Sequence, residues 1–521
     1  MTRTAPPNIV LLMADQLTPF ALPFHGHPVT QAPALSRLAA EGVVFDAAYC
    51  NSPICAPSRF SMLSGRMPHA IGAWDNACEF PSEIPTMAHY LRAAGYRAIL
   101  AGKMHFVGPD QLHGFDERLT TDIYPADFLW VPDWSRGPQY RPTGVGMGHV
   151  VDAGPCLRNM QIDYDEEVAH VAVQKIYDLA REKVAPFFLI VSFTHPHPPF
   201  VARQDEWDLY EDAAIDAPRV PPIPFEALDP HSRWLYVAHG QDRHTVTAEH
   251  VRAARRAYYA MVSYVDGRIG AVLEALDRSG LGSEAVVVFC ADHGEMLGER
   301  GMWYKQTFYE PSVRVPLVVR APGAAPRRSG AVTSLVDLLP TFLELASSAG
   351  AAVVPVDPLA GRSLVDLLDG RTDGAGREAV SEYSSEGVIA PSRMVRRDNW
   401  KYVYTSGLPP FMFDLAQDPR ELHNRAGDPA VADLEKALRS RVLADWDPVE
   451  VDGRIRASQK RRLFLRELAL ESGAFPEWNF EARAGDARRF VRPATATGAV
   501  GAKPRARFPY VDPTPPDRPA T

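Results

Sequence analysis

The chain opens on an unbroken apolar run, Asn8-Ile-Val-Leu-Leu-Met13, which stops abruptly at Ala14-Asp15-Gln16. A run without alternation is expected of a strand covered on both faces, as in a parallel sheet. The same figure returns three times: Tyr96 to Leu100 runs into Gly102-Lys103, Phe187 to Phe193 into Thr194-His195, and Ala285 to Cys290 into Asp292-His293. Between these runs the pattern predicts helices over Pro33 to Glu41 and over Pro85 to Ala94, the second stopped by Gly95, with a strand over Val43 to Phe45. From Thr247 a long amphipathic helix follows, its apolar positions Val251, Tyr258, Val262, Val265, Ile269, Val272 and Leu276 recurring at sevens, fours and threes. Val315 to Val319 adds a strand and Leu338 to Leu345 a helix. This order predicts an α/β fold. In open α/β sheets the ligand crevice lies at the carboxyl ends of the strands, so the four polar endings are expected to converge.

Glycine, proline and aspartate loosen the pattern from Gly350 to Gly376, which sets a boundary near residue 375. The expected organisation is a catalytic domain over 1–375 and a smaller α+β subdomain over 376–492. The latter holds a hairpin, Trp400 to Tyr404 with Phe411 to Leu415, and helices near Ala430 to Leu443 and Gly453 to Glu471. Seven prolines in the last 29 residues predict an extended tail over 493–521. A formal net charge of −9 on 521 residues is slight and argues against nucleic acid or an anionic membrane as partner, so any bound anion needs a local positive pocket. The apolar run after Asn8 is too short for a signal peptide, and no stretch is long enough to span a membrane. Five cysteines, Cys50, Cys55, Cys78, Cys156 and Cys290, show neither an even count nor metal-finger spacing. A cytoplasmic protein with reduced thiols is the simplest expectation.

The sharpest motif is Cys55-Ala-Pro-Ser-Arg59, followed by Leu63-Ser-Gly-Arg66. Pro57 suits the first turn of a helix, so Cys55 would stand at its positive end. A cysteine there is ordinarily structural. The long pattern, however, resembles the signature of type I sulfatases, in which this cysteine is oxidised to formylglycine (3-oxoalanine). That resemblance implies the alkaline-phosphatase-like sulfatase fold: a large central mixed sheet flanked by helices, with a smaller C-terminal α+β subdomain. It also implies a formylglycine-generating enzyme or its equivalent as maturation partner. Arg59 would hold the oxygens of residue 55 and of the sulfate.

Asp15-Gln16 and Asp292-His293 supply hard oxygen ligands and one imidazole, and with residue 55 they form the expected site of a divalent metal, calcium or alternatively manganese. Sulfatases typically carry Asp-Asp and Asp-Asn at these places; the Gln16 and His293 set resembles the choline sulfatase and phosphonate monoesterase branches. Gly102-Lys103-Met104-His105 resembles the sulfatase Gly-Lys-x-His pattern. If the strand continues through it, Lys103 and His105 face the same side. By resemblance Lys103 orients residue 55 and binds sulfate, and His105 is the base that releases sulfate from residue 55. In Thr194-His195-Pro196-His197-Pro198-Pro199, His197 matches the histidine that binds sulfate and donates a proton to the leaving oxygen, with His195 a weaker substrate-binding candidate. Lys305, in Gly301-Met-Trp-Tyr-Lys305, matches a lysine that contacts the same oxygen.

Further stretches, Val107 to Phe115, Thr120 to Phe128, Asp163 to Val168 and Leu297 to Gly301, resemble choline sulfatases well beyond the catalytic core, over about residues 8 to 490. A quaternary ammonium needs aromatic faces and a carboxylate. Trp130 and Glu386 match positions where that branch places them, and Asn76 joins the substrate-binding set. Two departures stand out: the Arg141 to His149 stretch is not aromatic-rich, and the tail beyond Arg492 lacks an acidic segment. The expected substrate is therefore a small organic sulfate monoester, with choline-O-sulfate the leading candidate and phosphonate monoester or phosphodiester hydrolysis the alternative. The resemblance also implies a homo-oligomer, dimer or tetramer.

Overall fold

A computed structural model describes residues 6–140, 145–183, 186–347 and 353–473. The apolar runs form the middle of a nine-stranded sheet in the order Arg327–Ser334, Val43–Tyr49, Leu317–Arg320, Ala285–Ala291, Asn8–Ala14, Phe187–Ser192, Arg97–Gly102 and Glu117–Arg118, with Arg314–Val315 also paired to Val43–Tyr49. Asn8–Ala14 lies parallel between Phe187–Ser192 and Ala285–Ala291, and Arg97–Gly102 lies parallel to Phe187–Ser192. Leu317–Arg320 runs antiparallel to both its neighbours, so the sheet is mixed, as the family resemblance implies. The central strands are buried along nearly their whole length because helices cover both faces.

The long helix, Ala248–Arg278, is capped by Thr247, whose hydroxyl accepts from the His250 amide. All the expected apolar positions except the half-buried Val251 are fully buried. A second long helix, Met160–Glu182, packs beside it and was not among the expected elements. Its first turns bury Gln161 and Asp165, polar residues that break the apolar period. The helix expected over Pro85 to Ala94 is shorter, Met87–Ala93, with Thr86 as its cap.

The C-terminal hairpin belongs to a four-stranded antiparallel sheet, Glu378–Tyr383, Ser392–Arg397, Trp400–Thr405 and Phe411–Asp414. The two earlier strands escaped the pattern because they bury charges. Arg393 is fully buried with its Nε 3.2 Å from Glu382 and its Nη1 donating to the Val442 carbonyl at 2.8 Å. Helices Ala432–Leu443 and Pro448–Ser472 complete this part. The Arg141 to Gly144 part of the departing stretch and the proline-rich tail lie outside the described residues. Among the described residues no helix is long and apolar enough to cross a membrane.

Candidate active site

Four neighbouring strands, Ala285–Ala291, Asn8–Ala14, Phe187–Ser192 and Arg97–Gly102, release their polar endings side by side at one edge of the sheet. The helix Cys55–Ser64 faces them with Cys55 as its first residue. Its Sγ lies 3.2 Å from His293 Nε2, 3.6 Å from Lys305 Nζ and 3.9 Å from Asp15 Oδ1. The expected convergence is thus observed, with all these groups buried.

Arg59, one turn after Cys55, ties the endings together. Its Nε donates to Asp292 Oδ2 at 2.8 Å, Nη2 to Asp15 Oδ2 at 3.3 Å, and Nη1 to the Lys103 carbonyl at 2.7 Å and Ser192 Oγ at 2.8 Å. These four bonds use four of the five guanidinium N–H groups. Lys103 pairs directly with Asp15 and stands 4.2 Å from the centre of the Tyr124 ring. Burial resists the ionisation of Asp15, but Lys103 and Arg59 outweigh it and hold its pKa well below the ordinary carboxylate range. Burial likewise opposes the charge on Lys103, and Asp15 overrides it, so the ammonium titrates above its usual value.

Asp15, Cys55, Asp292 and His293 offer ligand atoms within 4.8 Å of one another. The ring of His293 is set for metal binding: Nδ1 lies 3.1 Å from the Gly294 carbonyl, to which it donates, leaving the Nε2 lone pair facing Cys55, Asp15 and Asp292. Burial pushes its pKa down to about 4, which keeps that lone pair free at neutral pH. Gln16 has a left-handed backbone, φ 61°, fixed by its amide donating to Asp292 Oδ1 at 3.0 Å. Its side-chain oxygen accepts from Lys305 and its amide nitrogen donates to Glu295. Two carboxylates and one imidazole gathered around Cys55 are a donor set that fits a hard divalent ion, and the Gln16 side chain follows directly after Asp15.

Gly102 lets its strand turn into the site: φ is 97°, and a Cβ there would sit 1.9 Å from the Ser192 carbonyl oxygen. The strand ends at this glycine, so strand alternation is not what directs Lys103 and His105. His105 takes φ 63°, and Asp122 Oδ2 accepts its amide at 2.8 Å and that of Met104 at 3.0 Å. The His105 ring is buried against Tyr124 and Trp130, and neither ring nitrogen has a hydrogen-bond partner among the described residues. Two unbonded buried nitrogens beside the nucleophile pocket call for a ligand.

His197 presents Nε2 to Lys305 Nζ at 3.0 Å and donates from Nδ1 to the Pro198 carbonyl at 2.7 Å. Burial and then the Lys305 charge hold its pKa well below the ordinary histidine value, so the ring is neutral. The ring of His195 instead meets Asp165 Oδ2 at 2.7 Å and packs on Tyr264 at 4.6 Å. Asn76 faces the helix rather than open space, its Oδ1 accepting from the Ala56 amide at 2.9 Å. Trp130 joins Tyr124 and His105 in one aromatic wall, with centroids 5.1 and 5.8 Å apart. Glu386 is buried; Ser385 and, at 3.2 Å, Gln306 Nε2 donate to it. It has no cation within ion-pair distance among the described residues, and burial raises its pKa.

A model described as Sulfatase matches residues 7–348, about two thirds of the chain. The chain belongs to the sulfatase family. A second model, the C-terminal part of N-sulphoglucosamine sulphohydrolase, matches residues 298–446. The choline-sulfatase of Rhizobium meliloti (strain 1021) is 43% identical over 501 residues, covering 94% of this chain and 96% of that protein. Arylsulfatase K of Gallus gallus is 30% identical over 462 residues, covering 83% and 82%. The crystal structure of a phosphonate monoester hydrolase of Agrobacterium radiobacter superposes with a TM-score of 0.68 at 26% identity, covering 87% of this chain and 96% of that one. This sulfatase therefore stands in the choline sulfatase-like branch and hydrolyses sulfate esters.

Sequence reasoning missed several residues of this sulfatase's site. Tyr124, Glu295 and Gln306 sit in no chemical motif, though Tyr124 lies inside the Thr120 to Phe128 stretch; Ser192 heads the motif that carries His195 and His197, where it had no role of its own. Tyr124 meets Lys103, His105, Trp130 and His197 at once.

Proposed function

We propose that the enzyme cleaves choline-O-sulfate or a closely similar sulfate of a small cationic alcohol. The observation that carries the alcohol side is Glu386, a buried carboxylate with no cation within ion-pair distance among the described residues. A buried charge normally has a partner, and a trimethylammonium group would provide it while the Trp130 and Tyr124 rings offer their faces.

On the sulfate side, Cys55 oxidised to formylglycine supplies an aldehyde whose hydrate carries two hydroxyls, one to attack sulfur and one whose deprotonation lets sulfate go. A divalent ion held by Asp15, Gln16, Asp292 and His293 supplies positive charge that neutralises sulfate oxygens and lowers the pKa of the attacking hydroxyl. We take that ion to be calcium, with manganese the alternative admitted by the imidazole.

The chain's own residues then divide the work. Arg59 holds Asp15 and Asp292 in place and keeps one N–H free of these bonds for an oxygen of residue 55 or of the sulfate. Lys103, kept charged by Asp15, orients residue 55 and meets a sulfate oxygen. His197 and Lys305 face the bridging oxygen, where charge develops as the alcohol departs. His105, with both ring nitrogens unbonded, takes the proton that frees sulfate. His195 acts through its backbone, since its ring is committed to Asp165 and its carbonyl accepts from the Asp15 amide at 3.3 Å.

The reading also includes a maturation enzyme for Cys55, a cytoplasmic setting, a homo-oligomer and the division into units at residue 375. It is tested by kcat/KM for choline-O-sulfate, 4-nitrophenyl sulfate and a phenylphosphonate monoester, on protein whose formylglycine is confirmed by peptide mass spectrometry. Choline-O-sulfate should be preferred. A strong preference for the phosphonate, or an intact alkylatable thiol at Cys55 in active enzyme, would refute it.

A further inference from the structure

The helix Pro448–Ser472 begins just beyond residue 446, where the second family match ends, yet one face of it reaches three separate segments of the site. Gln459, Arg462 and Leu463 are spaced i, i+3, i+4, so they share that face. Arg462 is buried and grips Asp75 with both ends of its guanidinium, Nη1 to Oδ1 at 2.6 Å and Nη2 to Oδ2 at 2.8 Å. Asp75 Oδ1 also accepts the Ala77 amide at 2.9 Å, closing a turn with Asn76 at its apex. Asn76 Oδ1 in turn accepts from Ala56, the residue bonded to Cys55. Gln459 Oε1 accepts the Trp134 amide at 3.1 Å, the Trp134 indole donates to the Ser385 carbonyl at 3.0 Å, and the Ser385 hydroxyl donates to Glu386. Leu463 packs on the cluster of Ala77, Val107, Phe128 and Val131 against which Trp130 also rests.

We propose that this helix aligns the two halves of the site, with Arg462 a positioning residue for the residue 55 nucleophile through Asp75 and Asn76, and Gln459 a positioning residue for Glu386 through Trp134 and Ser385. The proposal rests on the roles given above to Cys55 and Glu386. The two arms have different kinetic signatures. Loosening the Asn76 turn shifts the first turn of the Cys55 helix, and small misplacement of a reacting group costs on the order of 10- to 100-fold in rate. That loss falls on every sulfate ester. Loosening Ser385 moves only the carboxylate that meets a cationic alcohol.

The experiment compares wild type, Arg462→Met, Arg462→Lys, Asp75→Asn combined with Arg462→Met, and Gln459→Leu, each with formylglycine content measured and rates expressed per converted site. Substrates are choline-O-sulfate, its neutral isostere 3,3-dimethylbutyl sulfate, and 4-nitrophenyl sulfate. Arg462→Met should lose about 10- to 100-fold in kcat on all three with KM changed less than about threefold. Arg462→Lys should recover part of the loss, because an ammonium neutralises Asp75 without the two-pronged geometry. The double variant leaves no unpaired buried charge, so it serves in place of Arg462→Met if that variant fails to fold, and its kcat should remain low. Gln459→Leu should raise KM for choline-O-sulfate alone. A double variant or Arg462→Lys with wild-type kcat, or equal effects of Gln459→Leu on all three substrates, would overturn the proposal. Failure of wild-type enzyme with converted residue 55 to turn over any sulfate ester would instead overturn the functional reading, and the proposal with it.

Discussion

Replacing Glu386 by glutamine removes one charge and keeps the side chain's size; Oε1 still accepts from Gln306, while the oxygen that accepted from Ser385 becomes an amide nitrogen, toward which the Ser385 hydroxyl can rotate to accept. The direct partners of Glu386 among the described residues are the neutral Gln306 and Ser385, and Lys305 acts on it only from beyond ion-pair distance, so most of the carboxylate's field is available to a bound ammonium. At a separation of about 4 to 5 Å and an effective dielectric of about 20, the attraction is about 3 to 4 kcal/mol. Loss of the hydration of a buried carboxylate offsets part of it, which leaves about 2 to 3 kcal/mol and a fall of about 30- to 150-fold in kcat/KM for choline-O-sulfate. The neutral isostere 3,3-dimethylbutyl sulfate should lose less than about threefold, since the variant keeps the shape of the pocket. The assay is the ratio of the two kcat/KM values in wild type and variant at fixed pH and ionic strength. Burial raises the Glu386 pKa, so in wild type the ratio should fall as pH is lowered through that raised value and the carboxylate is neutralised; in the variant it should stay flat. Equal losses on both substrates would show that Glu386 supports the pocket without reading charge, and the choline assignment would fall with it.

Lys305→Ala should cost about 100-fold or more with alkyl sulfates and about tenfold or less with 4-nitrophenyl sulfate, because Lys305 offsets charge on the leaving oxygen; equal losses in a leaving-group series would contradict that role. Chelation should abolish turnover and lower the thermal midpoint, and readded calcium should raise the midpoint with its concentration as binding to the folded state requires; a midpoint indifferent to chelator and to both calcium and manganese would remove the metal from the site. Asp266, on the long helix, accepts the amides of Ala34 and Leu35 at 3.0 and 2.7 Å, and burial raises its pKa from 3.8 to about 6. Between those values the folded protein binds more protons than the unfolded chain, so stability falls as pH rises from about 4 to about 6, by about 3 kcal/mol, and levels off above. Urea unfolding across that range should show the decline in wild type relative to Asp266→Asn, and a difference independent of pH would refute it.

Much of the sulfate half of the site was legible because its groups follow strong local signals: apolar runs that stop at Asp15, at Lys103, at Thr194-His195 just before His197, and at Asp292, and a long motif around Cys55; Lys305 came from resemblance alone. Strand periodicity and the rule for sheet edges then brought them together with no knowledge of register. His105 was singled out by the Gly-Lys-x-His resemblance, while strand alternation does not direct it because the strand ends at Gly102. The direction of His105 comes from a left-handed turn held by Asp122, a residue 17 positions away that no pattern links to it. The strands carrying Arg393, Arg396 and Glu382 were invisible because their charges are satisfied only in three dimensions. Helix Met160–Glu182 was hidden by Asp165, whose place in the core is explained by the Thr194 and His195 amides it accepts. The alcohol side was legible only through resemblance: Trp130 and Glu386 belong to segments 256 residues apart, and each takes its meaning from the other.

The four adjacent strand lanes that deliver Asp292, Asp15, His197 and Lys103 share one hydrogen-bonded register, so they can change only together. The wall opposite them comes from separate loops braced by a late helix. A lineage, or an engineer, can therefore redraw the loops at 130 and 386 and the face of the bracing helix to admit another alcohol, and the sulfur chemistry is inherited untouched. Specificity in this molecule is modular; reactivity is not.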